Sequence, residues 1–105
     1  MKNQEIKKMV WEKLSKVMDP ELDVDIVGLG LIYEVIVSGG GKVKIIMTLT
    51  TPGCPLAGVI DMMVREAVVS VEGVIMENVE TELVWDPPWI QDIMSEEVKL
   101  KLGFL

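Results

Sequence analysis

The sequence contains no histidine and only one cysteine, and these two shortages close off much of the chemistry open to a small protein. Without imidazole there is no histidine metal ligand and no histidine acid or base. The Cys/His pair of thiol proteases and the His-containing zinc sites are therefore excluded. One cysteine allows no internal disulfide and no resolving partner for thiol-disulfide exchange within the chain. Basic residues are also in deficit: ten Lys and Arg stand against seventeen Asp and Glu, for a net charge of -7. No Lys/Arg cluster offers the basic stripe that a phosphate backbone requires, so nucleic acid is not an expected partner. No apolar run approaches the roughly 20 residues of a membrane helix. Met1-Lys2-Asn3-Gln4-Glu5 leads into a helical pattern and not into the apolar core of a signal peptide. The expectation is a cytoplasmic protein with no membrane association.

What is present is enough for a folded core. Half of the 105 residues are hydrophobic, which separates the chain from disordered sequences. A domain of this size buries roughly two-thirds of the surface that its unfolded chain exposes. Residues 1–105 are read as one domain, with no linker, repeat or low-complexity tract.

Residues 3–18 place Ile6, Met9, Val10, Leu14, Val17 and Met18 at helical spacing, predicting one buried face. Asp19-Pro20 should stop that helix, because the residue before proline is disfavoured in the helical region. An acidic, then apolar, then glycine-rich stretch follows to Gly30 and reads as an ordered loop. Two β-rich runs, 31–38 and 42–49, flank Gly39-Gly40-Gly41 and predict an antiparallel hairpin. The second run sends Val43, Ile45, Met47 and Leu49 to one face, with Lys44, Thr48 and Thr50 on the other. Beyond Cys54, a helical period runs through Leu56, Val59, Ile60, Met63, Val64, Ala67, Val68 and Val71, and Glu72-Gly73 ends it.

Alternation returns over 74–85, with Ile75, Glu77, Val79, Thr81, Leu83 and Trp85 on one side. A helix between the second and third strands implies a crossover and a parallel pairing. Asp86-Pro87-Pro88-Trp89 is a rigid turn, since proline removes ladder donors. Ser95 caps a last helix from Glu96 to Leu102, with Gly103 as its stop. The predicted fold is α+β: a two-layer domain in helix, hairpin, helix, strand, helix order, with a small mixed sheet covered by helices on one face. The methionines fall on the apolar stripes and are read as core.

The chemically loaded stretch is Thr48-Leu49-Thr50-Thr51-Pro52-Gly53-Cys54-Pro55-Leu56. Proline favours the first helical position, which puts Cys54 at the predicted N-cap of the second helix. Unpaired N–H groups and the positive dipole end there favour a thiolate. Two readings stand open: a small buried hydrophobe, or a positioned, ionisable sulfur.

Other stretches have weaker claims. Asp19, Glu21, Asp23 and Asp25 alternate like the opening of a calcium loop but lack its glycine and closing glutamate. They read as a solvated loop, with Asp19 at the helix exit able to fold back toward the cysteine turn. Gly39-Gly40-Gly41-Lys42 precedes a strand and has no following Ser or Thr, so a hairpin turn explains it. Gly28-Leu29-Gly30 is too short for a dinucleotide fingerprint. Trp85 at a strand end reads as packing, and Trp89 behind two prolines as an exposed docking point.

Three blocks together resemble a known family: Asp19-Pro20-Glu21 with Gly28-Leu29-Gly30-Leu31-Ile32-Tyr33, then Met47 through Leu56, then Trp85-Asp86-Pro87-Pro88-Trp89. Over almost its whole length the chain resembles the SufT/PaaD-like metal-sulfur cluster assembly proteins. The resemblance implies a domain similar in layout to the carboxy-terminal scaffold domain of NifU-type proteins. It also implies a non-enzymatic role in iron-sulfur protein maturation, as an adaptor or carrier for cluster assembly or transfer.

Matched residue by residue, the family's reactive cysteine falls on Cys54, which the resemblance implies as a ligand of transient iron or an iron-sulfur cluster. Asp19, Thr50 and Thr51 fall beside it as support. From the residues themselves, Gly53 is added to that supporting site, and Trp89 with Asp86 is read as the partner-docking point. Gly28 departs from the acidic residue often found before Leu-Gly-Leu. The implied partners are iron-sulfur assembly proteins and client apoproteins, with a second copy of the chain as another source of ligands. No tightly bound cofactor is expected. Two alternatives come from other classes: a thiol enzyme or redox sensor using Cys54, with Asp19, Asp86 or water as base, and a non-catalytic interaction module docking through Trp89 and the acidic loop.

Overall fold

The apolar stripe of the first helix, α1 (Asn3–Leu14), buries Ile6, Val10 and Leu14 at the four-residue spacing that stacks side chains on one helical face. The computed structural model that shows this describes residues 2–50 and 55–104. Cys54, Thr51 and Gly53, on which part of the sequence reading falls, lie outside the described residues.

The first helix is four residues shorter than its periodicity predicts. The Val17 N–H donates to Leu14 O at 3.0 Å, tightening the last turn, and the chain then reverses. Ile26 N donates back to Val17 O at 2.9 Å and Asp19 N to Val24 O at 2.8 Å, with Met18 bridged to Asp25. Val17 is buried as expected, but by this return of the chain and not by helix packing.

Strands β1 (Ile32–Ser38) and β2 (Lys42–Met47) form the expected antiparallel hairpin, with Val35 opposite Ile45 and a bulge between Ile32 and Glu34. Helix α2 (Ala57–Val69) follows, and β3 (Val79–Leu83) then pairs parallel to β2, Ile45 lying opposite Thr81. The order β1-β2-β3 is the mixed sheet predicted. Helix α1 packs on β1 and α2 on β3, and the helices touch each other, so both lie on one face. Val43, Ile45, Met47 and Leu49 are buried there. On the opposite face, Lys44 pairs with Glu82 at 3.4 Å.

The third strand is shorter than residues 74–85. A 3-10 turn, Met76–Asn78, breaks the two-residue period, and Ile75 is half exposed, with Leu83 and Trp85 somewhat less so. Met62 and Met76 are exposed as well, against the reading of the methionines as core, because they stand on the open sides of α2 and of this turn. Thr48, expected on the outer face, is fully buried, its N–H donating to Leu31 O at 2.8 Å. The last helix, α3 (Glu96–Lys101), is capped as predicted: the Ser95 hydroxyl accepts from Val98 N at 3.2 Å, and Gly103 takes a φ of 84° beyond its end. Among the described residues no helix is long and apolar enough to cross a membrane.

Candidate functional site

Because β2 and β3 are parallel, both deliver the chain to the same end of the sheet, the place where ligands gather in parallel sheets. Met47 and Leu83 are partners there, and Val84 N donates to Met47 O at 2.8 Å. The hairpin brings the start of β1 to this end too, with Ile32 opposite Met47. The sequence blocks 19–33, 47–50 and 85–89 therefore converge where the chain departs into the cysteine turn.

Specific bonds tie the blocks together. The Trp89 indole N–H donates to Leu29 O at 2.7 Å, and the Tyr33 hydroxyl donates to Pro87 O at 2.7 Å. Ser95 N donates to Gly28 O at 2.7 Å, joining the cap of α3 to the same loop. Within the loop, Asp19 Oδ1 accepts from Glu21 N at 2.8 Å and Leu22 N at 2.9 Å, and Asp25 Oδ2 from Gly28 N at 2.7 Å. These carboxylates satisfy turn donors. Asp19 is buried, and the role the structure gives it is to hold the turn that presents Leu22. Gly28 has a steric reason: a Cβ there would lie 2.5 Å from Val98 Cγ2 and 2.7 Å from Asp25 Oδ1, which leaves no space for a carboxylate.

Thr50, the last described residue before the cysteine turn, lines a cleft of about 270 Å3 with Leu22, Leu29, Trp89, Met94, Leu102 and Phe104. The cleft is apolar apart from the Thr50 hydroxyl and the polar edge of the indole. The tryptophans reverse their expected exposures. Trp89 is half-buried against the core because its indole N–H reaches the Leu29 carbonyl, whereas Trp85 is 41% exposed. Asp86 is exposed between them.

Helix α2 begins later than the sequence suggests. Leu56 is the N-cap, with no side-chain cap of its own, and Leu56 O accepts from Ile60 N at 2.9 Å. Cys54 thus precedes the cap by two residues instead of occupying it. On the other side of the turn, Met47, Leu49, Ala57, Asp61, Thr81 and Leu83 enclose a cavity of about 50 Å3. Asp61 and Thr81 were not singled out by sequence. The only available signal was an acid and a base four residues apart on α2, Asp61 and Arg65, a spacing that ordinarily marks a surface ion pair. Among the described residues no group of three or more acidic, cysteine or histidine side chains could hold a metal ion.

Comparison with known proteins bears on the family and the fold. Residues 7–81 match the family model described as iron-sulfur cluster assembly protein. The chain is 44% identical over 98 residues to the Fe-S protein maturation auxiliary factor YitW of Bacillus subtilis (strain 168), which covers 93% of this chain and 94% of that one. It is 41% identical over 87 residues to the Fe-S protein maturation auxiliary factor SufT of Staphylococcus aureus (strain USA300), covering 83% and 97%. A crystal structure of a domain of unknown function from Bacillus anthracis superposes with a TM-score of 0.90 at 38% identity, over 98% of this chain and 96% of that one.

Proposed function

The chain belongs to the iron-sulfur cluster assembly protein family, and from that premise we propose that it assists iron-sulfur protein maturation in the cytoplasm. In this reading it is an adaptor or carrier and not an enzyme. Cys54 is the thiol that holds iron or a cluster in transit, with Asp19, Thr50, Thr51 and Gly53 as its supporting site. The observation supporting this is the convergence of blocks 19–33, 47–50 and 85–89 around both ends of the cysteine turn. Bonds from Tyr33 and Trp89 to backbone carbonyls join these blocks.

The chemistry follows from the residue inventory. Iron-sulfur clusters take protein thiolates, ordinarily four, and this chain has one. The remaining ligands must come from a client apoprotein, a small thiol or a second copy of the chain. Such a site grips weakly and releases readily, as delivery requires. The apolar cleft beside Thr50 fits this role by offering an approaching partner an apolar contact.

The test is Cys54→Ser in cells that depend on this protein. Iron-sulfur enzyme activities are expected to fall to the level of the deletion strain, with the melting temperature of the purified variant unchanged. Full activity in that variant would sink the proposal. Trp85 favours a second reading, an interaction module without a working thiol. Its exposure beside exposed Asp86 gives an aromatic anchor of the kind that dominates protein interfaces. On that reading Trp85→Ala abolishes partner capture and Cys54→Ser has no effect.

A further inference from the structure

A sheet of three strands has two edges, and here they are not equally open. Val84 N donates to Met47 O at 2.8 Å, so Met47 turns its backbone groups toward β3, and Ile45 and Val43 do the same by alternation. In a parallel ladder the residues opposite these, Val79, Thr81 and Leu83, turn their own N–H and C=O to the free side of β3. Lys42, Lys44 and Ile46 face β1 instead and bond Ser38, Ile36 and Glu34. That leaves Val35 and Val37 turned outward on the other edge.

The fold closes most of these positions itself. Val35 is 1% exposed, covered by α1, which packs on β1, and Val37 is half-buried. On β3, the Val79 N–H donates to Met76 O, and the Val79 carbonyl accepts from Arg65 Nη1 at 3.1 Å. That arginine is held in turn, its Nε donating to Asp61 Oδ2 and its Nη2 to Thr81 Oγ1, both at 2.9 Å. A fixed guanidinium thus stands across the start of the β3 edge. What remains are the backbone groups of Thr81 and Leu83, which no bond engages among the described residues.

An unpaired strand edge is a template for another strand, and the surroundings decide whose. A second copy does not fit: paired strands lie about 4.8 Å apart, whereas packed helices need about 8–10 Å between axes. Because α2 lies on β3, pairing β3 with the β3 of a second copy would drive the two α2 helices into each other. A single extended segment brings no helix. The side chains beside the gap set its chemistry. Leu83, 46% exposed, shares the helix-bearing face with Thr81, and Glu80 and Glu82 alternate onto the open face, where both are exposed. Lys44 meets Glu82, but no cation pairs with Glu80 among the described residues. Facing strands favour opposite charges and penalise like ones. We propose that the stretch from Thr81 to Leu83 is a strand-addition site for an extended segment of a partner polypeptide, with apolar residues toward α2 alternating with basic residues on the open face. This deepens the adaptor reading and rests on it, and it leaves the thiol aside.

The experiment records amide NMR spectra of the full chain during titration with a short synthetic peptide in which lysine alternates with valine. The Thr81 and Leu83 amide signals are expected to shift together and their hydrogen exchange to slow by about tenfold or more, while those of Val35 and Val37 stay in place. The same peptide N-methylated at every amide keeps its charges and side chains but has no N–H to donate, and is expected to leave the spectrum unchanged. Glu80→Lys is expected to weaken binding about fivefold, the upper range for an exposed ion pair. Leu83→Pro removes an edge donor where proline is tolerated and is expected to abolish the shifts; if it does not fold, Glu80→Lys and the methylated peptide decide. Unmoved Thr81 and Leu83 signals at millimolar peptide would overturn the proposal. So would equal binding of the methylated peptide, or of a peptide alternating glutamate with valine. Shifts at Thr81 and Leu83 that follow protein concentration without peptide would overturn it in favour of a second copy. No iron or thiol enters this assay, so its failure is distinguishable from failure of the maturation role, which the Cys54→Ser cell assay tests.

Discussion

The two ends of the sheet are built differently. At the end facing the cysteine turn, side chains reach across the chain to backbone carbonyls: Trp89 to Leu29, Tyr33 to Pro87. A buried threonine follows β2, and a loop there is held from within by the Asp19 and Asp25 carboxylates. At the other end, Gly39-Gly40-Gly41 turns with two of its glycines at positive φ, and the long-range side-chain bond to it is Asn78 Nδ2 to Gly40 O, at 3.3 Å and exposed. One end is cross-braced by side chains that reach distant backbone carbonyls, the Trp89 bond part-buried and the Tyr33 bond exposed. The other is a turn that approaches the rest of the chain closely at Gly41, where a Cβ would run into Gly73 O. Bracing concentrated where no secondary structure demands it marks the end whose shape matters.

The sharpest way to break this contrast is to place a methyl group at each end. Gly30 has a φ of 83°, and a Cβ there would run into the Ile93 side chain and lie 3.0 Å from Ile93 O. Gly30→Ala is expected to destabilise the protein by about 3 kcal/mol, combining left-handed strain with a steric clash, as measured by chemical denaturation. Trp89→Phe keeps most of the apolar area but leaves the Leu29 carbonyl without its donor. The loss expected is about 2 kcal/mol, read by the same method. The smallest effect belongs to the far end: Gly39 has open space around its Cβ position, so Gly39→Ala should stay within about 0.5 kcal/mol of the wild type. A Gly39→Ala loss as large as that of Gly30→Ala would abolish the distinction between the ends.

Much of the architecture was legible because it follows from local patterns. The hairpin, the core face of β2, the parallel return of β3 and the Ser95 cap each rest on periodicity or turn chemistry within a few residues. What failed did so where a distant contact overrode the pattern. Val17 fits the helical stripe of α1, but its burial comes from pairing with Ile26 across a loop. Ile75 fits an alternating strand, but a 3-10 turn intervenes.

Trp85 and Trp89 exchange their expected exposures because the burial of an indole depends on whether its N–H finds an acceptor. That acceptor, Leu29 O, is 60 residues away in the chain. At the site, the cysteine turn stood out by composition alone, whereas Asp61, Arg65 and Thr81 looked like ordinary surface residues. Their joint geometry exists only once α2 lies on β3. Asp19 stands out by its charge, and its carboxylate accepts from the N–H groups of Glu21 and Leu22.

The parallel pairing of β2 and β3 has one practical consequence for handling this molecule. Since both strands point their outgoing chain toward the cysteine turn, the tip of the β1–β2 hairpin is the part of the sheet furthest from it. That tip combines exposure with glycine tolerance, the conditions under which insertions are accepted. A fluorescent reporter or affinity handle spliced in after Gly39 would hang clear of the Thr50 cleft. The protein could then be tethered or imaged while the thiol end stays open to whatever it meets.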